Sequence, residues 1–404
     1  MKVLIVGSSK LPIPAVKGGA VPNLVEQLLK QNEFEEKLDI TCCAIHDPEA
    51  EAKAKQYKKT TFIWVKQPKF IRILDKLIYV LFSKVLKKER LLSLSYIFSI
   101  AWFSFFVGAI LHKETYDRVV FENSVPVMFS LKLWGNQKKY KGKYYLHMHS
   151  VPRCYYGNAQ IIRNCKKLIC ISEYVADQMI ADERLGIDQC SIHIMYNCID
   201  TKVFCSRKQK EENIRRKYSI NNQKRIIVFV GRLCREKGIE ELLKAVKKIE
   251  KDIVLIVVGS NFYKSGIISP YEDRLRRISS GMNDRVIFTG YVDYSQIPQY
   301  YAAADVVVLP SMWEEPAGMT VLEAMACEKP VITTYSGGIP EYVGSGNCIL
   351  LKRNENIIDA LVASISEILD NKTLAEEMAR KSAIQASRYD MAFYYSQFLN
   401  IING

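Results

Sequence analysis

The sequence is missing several of the short patterns that reveal a protein's chemistry. No Cys-x-x-Cys pair occurs among the eleven cysteines, and adjacent Cys42 and Cys43 sit in an apolar run of strand character. Reduced, mostly buried thiols in a reducing cytoplasm are therefore expected, in place of a disulfide framework or a zinc site. No Gly-x-Gly-x-x-Gly follows the first apolar run of either half, which argues against a dinucleotide dehydrogenase. Nor is there an Asp-x-Asp, the carboxylate pair that commonly holds a divalent ion on a diphosphate. His147 and His149 stand two apart with no third ligand at useful spacing, so no metal site is expected. The apolar start, Val3–Val6, is too short for a signal peptide, and Gly7-Ser8-Ser9 follows at once.

What is present is ordinary in bulk. With 404 residues, 49% apolar and 25% charged, the chain has room for two domains, each burying a core, and shows no sign of disorder. A net charge of +14 suits an anionic ligand, a nucleic acid or an acidic membrane without choosing among them. Basic residues are denser at Lys84–Arg90 and Arg207–Arg225. The stretch Leu91–Leu111 carries no charge over a length able to span a bilayer. It is rich in Ser, however, and strand-like runs of one domain flank it, so a buried or surface-lying helix is expected. The preceding Phe70–Arg90 has the composition of an interfacial amphipathic helix, or of an ordinary helix with a solvated basic face.

Short β-branched runs alternate with helical patterns throughout, predicting βαβ units and parallel sheets covered on both faces. In the first half the strands are expected at Val3–Val6, Asp39–Ile45, Thr60–Val65, Arg118–Glu122, Lys143–His149, Lys167–Ile171 and Ser191–Tyr196. Helices are expected at Pro22–Lys30 and Glu173–Glu183. Polar, charged Thr201–Lys224 reads as a linker with a short helix. A second series follows at Arg225–Val230, Ile253–Val258, Arg285–Thr289, Asp305–Leu309, Pro330–Thr334 and Cys348–Leu351, with a helical tail from Ile357. The expected fold is α/β, two doubly wound Rossmann-like domains facing each other across a cleft. Their bounds are 1–200 and 206–386, with 387–404 packing back on the first.

The chemistry concentrates in the second series. Glu315-Pro-Ala-Gly-Met-Thr-Val-Leu-Glu323 follows a strand; its two carboxylates would stand about 12 Å apart on a continuous helix. Pro316 and Gly318 suggest that the helix starts between them, leaving Glu315 in the loop and Glu323 two turns along. Free N–H groups around Gly318, Met319 and Thr320 would then face an anion. Earlier, Gly231-Arg232-Leu-Cys-Arg-Glu-Lys237-Gly238 links a strand to a helix; Arg232 and Lys237 are placed to neutralise a diphosphate. Gly337-Gly338-Ile-Pro-Glu341 is another strand-to-helix turn.

With Gly290-Tyr-Val and Tyr301-Ala-Ala-Ala-Asp-Val-Val-Val-Leu-Pro-Ser, these motifs cover most of residues 225–345. In that order they resemble retaining glycosyltransferases of the GT-B fold, in the large Glu-x7-Glu family (glycosyltransferase family 4-like, bacterial surface polysaccharide type). Tyr196-Asn197-Cys198-Ile199-Asp200 is similar to the family's Pro-Asn-Gly-Val-Asp, with Tyr and Cys in place of Pro and Gly. The resemblance implies that Arg232 and Lys237 hold the donor diphosphate beside Gly231. It implies that Glu315 binds the transferred sugar and Glu323 the ribose, with backbone near Tyr291 and Val292 on the base. Gly18 and Gly19 resemble the glycine loop that closes over the donor phosphates. A histidine near the end of the fifth strand contacts the sugar in related enzymes; His149 is favoured here, His147 the alternative.

The implied activity is a retaining hexosyltransfer, from a UDP-sugar first or GDP-mannose second, to a glycan or lipid-linked acceptor. No metal or other cofactor is expected, and no nucleic-acid partner. The positive charge suggests a cytoplasmic protein peripheral to the inner face of the cell membrane through residues 70–111. Sugar-nucleotide 2-epimerases share the fold and are the rival enzyme class; a non-enzymatic basic protein binding membrane or polyanion is the rival outside enzymology.

Overall fold

The computed structural model describes residues 1–80, 96–205, 208–260, 269–282 and 284–404, with 208–211 described as backbone. The chain forms two compact units, Met1–Tyr196 with Tyr394–Gly404, and Asn197–Phe393.

The first unit is built on seven strands: β1 (Lys2–Val6), β2 (Asp39–Ile45), β3 (Thr60–Val65), β4 (Arg118–Glu122), β5 (Tyr144–Met148), β6 (Lys167–Cys170) and β7 (Ile192–Ile194). They pair in the order β3-β2-β1-β4-β5-β6-β7, all parallel. Val3 to Val6 are fully buried, as a strand covered on both faces requires. The order reverses at β1, so a crevice opens beyond the carboxyl ends of β1 and β4. Into that edge leads Gly18-Gly19, at φ +69° and +101°, a left-handed turn that only glycine makes cheaply. The helix Ala20–Glu35 starts directly after it, two residues earlier than its apolar pattern suggested.

Two helices lie beyond β3. Lys69–Val80 buries Ile71 and Asp75. Asp75 spans to the second helix, Ile97–Lys113, and accepts the N–H groups of Phe98 and Ser99 at 3.0 and 3.1 Å and the Ser99 hydroxyl. That helix buries Phe103, Val107 and Leu111 and exposes Phe105 and Phe106, so it lies on the surface of the unit. Among the described residues no helix is long and apolar enough to cross a membrane. Residues 91–95 of the uncharged stretch, and the basic run 84–90, lie outside the described residues.

The second unit repeats the plan with β8 (Arg225–Val230), β9 (Ile253–Val258), β10 (Val286–Gly290), β11 (Val306–Leu309), β12 (Val331–Thr334) and β13 (Cys348–Leu351). Their order is β10-β9-β8-β11-β12-β13, again all parallel. Between β8 and β9 the helix Ile239–Lys248 buries Ile239, Leu242, Leu243 and Val246, one stripe at helical spacing. Both domains are thus doubly wound.

The junction between units falls at Tyr196/Asn197, ahead of the expected 200–206. Hydrogen bonds decide it: the Asn197 N–H donates to the Tyr342 hydroxyl and the Ile199 N–H to the Tyr389 carbonyl, tying both to the second unit. The returning segment starts at Tyr394, later than the expected 387. Its Tyr395 hydroxyl donates to Asn32 at 2.5 Å, and Arg118 donates to the Ile402 carbonyl at 2.8 Å.

Candidate active site

In the second unit three strands finish on glycine: Gly231 after β8, Gly259 after β9 and Gly290 ending β10. The Gly259 N–H donates to the Gly290 carbonyl, and a Cβ on Gly259 would stand 2.1 Å from the Gly231 carbonyl oxygen. A side chain is excluded at Gly259, so backbone faces whatever lies beyond the sheet edge there. After Gly231 the chain turns through Arg232–Lys237 into the helix, with Gly238 at φ +68°. A Cβ on Gly238 would collide with the Pro310 carbonyl at 1.8 Å, which locks this turn against the loop after β11.

That packing carries Lys237 to Glu315, Nζ to Oε1 at 2.6 Å. The Ser311 hydroxyl donates to the same oxygen at 2.8 Å. Glu315 is 7% exposed, and a buried carboxylate needs such a counter-charge. Its backbone is clasped as well: its N–H donates to Ser336 at 3.4 Å, and its carbonyl accepts the Gly338 N–H at 2.7 Å. Gly337 permits the approach, since a Cβ there would lie 2.1 Å from the Glu315 carbonyl oxygen. Gly318, at φ +73°, caps the helix Met319–Ala326, whose first N–H groups lack intrahelical partners. Lys237, Ser311, Glu315, Gly318, Thr320 and Ile339 line one crevice. An ammonium and a helix start favour an anion there, and the carboxylate accepts from hydroxyls.

Glu323 is not two turns along a helix, because the helix begins at Met319; it is the fifth helical residue, in the second turn. It is 5% exposed, and both its oxygens are engaged, by Tyr294 at 3.1 Å and Tyr301 at 3.0 Å. Burial pushes its carboxyl up to about 7 despite the two phenol bonds. Arg232 is exposed, does not line the Lys237–Glu315 crevice, and makes no ion pair among the described residues. Tyr291 and Val292 follow β10, half-buried and outside that crevice too.

The first unit assembles a different group. A cavity of about 450 Å³ is lined by Gly19, Glu122, Asn123, Pro126, His149 and Tyr156, among others. Gly18 lies beside it, with open space where a Cβ would stand. Glu122 ends β4 and is paired in register with His147 on β5. One carboxylate oxygen of Glu122 stands 3.0 Å from His147 Nδ1 and 2.9 Å from His149 Nε2, all three side chains being buried. Burial pushes the Glu122 carboxyl up, but the two imidazoles outweigh it and hold the group at about 2. Burial, reinforced by His147 and opposed by Glu122, lowers His149 to about 4. An ionised carboxylate only accepts, so His149 donates through Nε2 and keeps a lone pair on Nδ1. That Nδ1, like His147 Nε2, is buried without a hydrogen-bond partner.

Here the spacing of the two histidines misled: a third metal-competent group does exist, and it is Glu122. A histidine bound to metal normally donates its other ring N–H to an acceptor. The outer nitrogens, His147 Nε2 and His149 Nδ1, have no such acceptor, while both inner nitrogens face one Glu122 oxygen. Glu122 and Tyr294 were not singled out from the sequence, and Tyr301 and Ser311, which open and close one of its motifs, were given no role there. A carboxylate closing an otherwise apolar strand was the available signal for Glu122.

Residues 210–385 match the family model described as glycosyl transferases group 1. Over 396 residues the chain is 24% identical to spore coat protein SA of Bacillus subtilis, spanning 96% of this chain and 94% of that one. It is 26% identical over 275 residues to the lipopolysaccharide 1,2-N-acetylglucosaminetransferase of Salmonella typhimurium, covering 66% of this chain and 69% of that one. The fold superposes on Anabaena Alr3699/HepE, solved in complex with UDP-glucose, with a TM-score of 0.73 at 20% identity, covering 100% of this chain and 99% of that one. Motif order, the two doubly wound sheets and these matches agree: the chain is a glycosyltransferase of the GT-B fold, with the group 1 match confined to residues 210–385.

Proposed function

We propose that the enzyme moves a hexose or N-acetylhexosamine from a nucleoside-diphosphate sugar to a glycan or lipid-linked acceptor, with retention at the anomeric carbon and without a metal. The carrying observation is the Lys237–Glu315 pair beside the Gly318-capped helix. Departure of the nucleoside diphosphate builds negative charge on its bridging oxygen. Lys237 and the N–H groups of Met319 and Thr320 are preorganised for that charge, and exposed Arg232 is assigned to join them on the diphosphate. Glu315 takes the sugar hydroxyls and Glu323 the ribose, with backbone at Tyr291 and Val292 on the base. Gly18, Gly19, Gly231 and His149 complete the donor contacts. The bond from the sugar to phosphate breaks as the acceptor oxygen bonds from the same face, and its proton passes to the leaving phosphate.

UDP-sugars stand first because the superposable HepE was solved with UDP-glucose; GDP-mannose stands second. The lipopolysaccharide relative supports a glycan acceptor. Exposed Phe70, Ile73, Leu74 and Leu77 on one helix support peripheral membrane contact.

Thermal unfolding with UDP-glucose, UDP-N-acetylglucosamine and GDP-mannose, each with and without EDTA, tests the donor. A UDP-sugar is expected to raise Tm most, EDTA having no effect. If none of the three shifts Tm, the donor assignment fails, and a shift abolished by EDTA removes metal independence. Interconversion of donor epimers without acceptor would assign the 2-epimerase reaction instead.

A further inference from the structure

A second cavity of the first unit, about 740 Å³, has no part in the donor reading. Ser9, Lys10 and Leu11 wall both it and the His149 cavity, so the two adjoin. Four cations line it, Lys10, Lys17, Arg72 and Lys76, against two carboxylates, Asp47 and Asp75. Both carboxylates are committed elsewhere. Asp47 pairs with Lys17 at 2.5 Å and accepts the N–H groups of Glu49 and Ala50. Asp75 caps the helix Ile97–Lys113.

The remaining charged groups of the lining are therefore cations and donors. Lys10 lies over the Tyr96 ring at 4.5 Å, and burial pushes its ammonium down with no carboxylate acting to raise it. Arg72 and Lys76, four apart on the helix Lys69–Val80, face the cavity and pair with no carboxylate among the described residues. Gln67 contributes a buried Nε2 without a hydrogen-bond partner. A cavity offering an ammonium pair, a guanidinium fork and an amide N–H, with its carboxylates spent, selects an oxyanion.

We propose that this cavity binds a phosphate or diphosphate group carried by the acceptor. The inference rests on the glycosyl-transfer reading, in which the donor's own diphosphate belongs to Lys237 and Arg232; a second anion, beside His149, belongs to the acceptor. Such a group is found on a soluble phosphorylated sugar or on a lipid carrier, and the chemistry of recognition is the same.

The test is calorimetric titration of the full chain with inorganic pyrophosphate at low ionic strength, where screening is weak. Wild type is compared with R72A/K76A, with K237A, and with K58A/K59A, which removes the same charge elsewhere. Two classes of site are expected in wild type and in K58A/K59A. R72A/K76A weakens one class at least tenfold, and K237A weakens the other. Unchanged binding in R72A/K76A overturns this proposal alone. Unchanged binding in K237A, with one class lost in R72A/K76A, overturns the donor reading and leaves the cavity assigned. Should the double alanine variant fail to fold by circular dichroism, R72Q and K76Q singly carry the same expectation. Sedimentation with phosphatidylcholine vesicles, with and without phosphatidic acid, separates the sources. Retention on phosphatidic acid that R72A/K76A abolishes assigns a lipid-borne anion. Pyrophosphate binding without such retention assigns a soluble one.

Discussion

The two sheets end in sites built by different means. In the second unit the functional groups lie a few residues from glycines that close strands or cap helices, and backbone collisions fix their turns. Gly238 against Pro310 and Gly337 against Glu315 leave no room even for a methyl group. In the first unit the groups meet across the sheet: Glu122 reaches His147 by strand register, and Asp75 reaches Ser99 from another helix. A site held by local turns is rigid and tied to contiguous sequence. A site held by register and helix packing uses residues distant in the chain, and its loops are less confined.

The largest expected effects test the ion pair. Lys237→Ala and Glu315→Ala should each lower turnover at least about 100-fold, the scale of losing one preorganised charge-stabilising contact. Their stabilities should differ. Lys237 is the more exposed partner, with 21% of its side chain accessible against 9% for Glu315, so an orphaned lysine hydrates while an orphaned glutamate does not. Lys237→Ala should therefore unfold at the lower temperature. Near-wild-type turnover in both variants would remove the pair from catalysis.

Gly238→Ala probes the turn that delivers Lys237. Its Cβ would sit 1.8 Å from a backbone oxygen, so the strand-to-helix turn must move. A loss of roughly 3 kcal/mol is expected from denaturant unfolding, with turnover falling as Lys237 is displaced. A variant that is fully stable and active would show that the collision is relieved freely, and the contrast in rigidity would go with it.

Glu323 gives a pH test confined to the second unit. Its carboxyl is held at about 7 against an ordinary 4.5, so the native state retains a proton that the unfolded chain loses first. Stability from this group is complete below pH 4.5 and is lost as pH rises through 7, by roughly 3 kcal/mol in all. Glu323→Gln should flatten the stability profile between pH 5 and 8. If the variant keeps the wild-type slope, another group is responsible.

Glu122→Gln tests the first unit. The substitution preserves shape but removes the charge that fixes the N–H positions of His147 and His149. Turnover is expected to fall about tenfold, about 1.4 kcal/mol, with donor KM nearly unchanged and Glu122→Asp partly restoring the rate. An equal fall for Gln and Asp, tracking lost stability, would make Glu122 structural only.

This contrast also explains what could be read from the sequence. All thirteen strands were visible as short, mostly apolar runs, because parallel strands covered on both faces have little alternative composition. The cluster of Lys237, Glu315 and Gly318 was legible because glycines mark its turns in contiguous sequence. Glu122 was not legible, since its partnership depends on which residue of β5 it faces. The roles of Tyr294 and Tyr301 were hidden for a similar reason: their hydroxyls meet Glu323 only once the helix Met319–Ala326 packs. The basic cavity required knowing that Asp47 and Asp75 cap helices, which leaves nearby cations uncommitted.

The smallest expected effect is Gly18→Ala, and it mirrors Gly238→Ala. Both glycines adopt almost the same left-handed φ, +69° and +68°. The surroundings differ, for a Cβ on Gly18 meets nothing within 4 Å. Only the local conformational cost remains, about 1 kcal/mol. For a unit of this size that corresponds to a Tm lower by about 3 °C. The pair of variants thus holds backbone conformation constant and changes only packing. A loss for Gly18→Ala equal to that for Gly238→Ala would show the first unit's glycine loop to be as tightly held as the second unit's turn, and would erase the distinction drawn between the two sites.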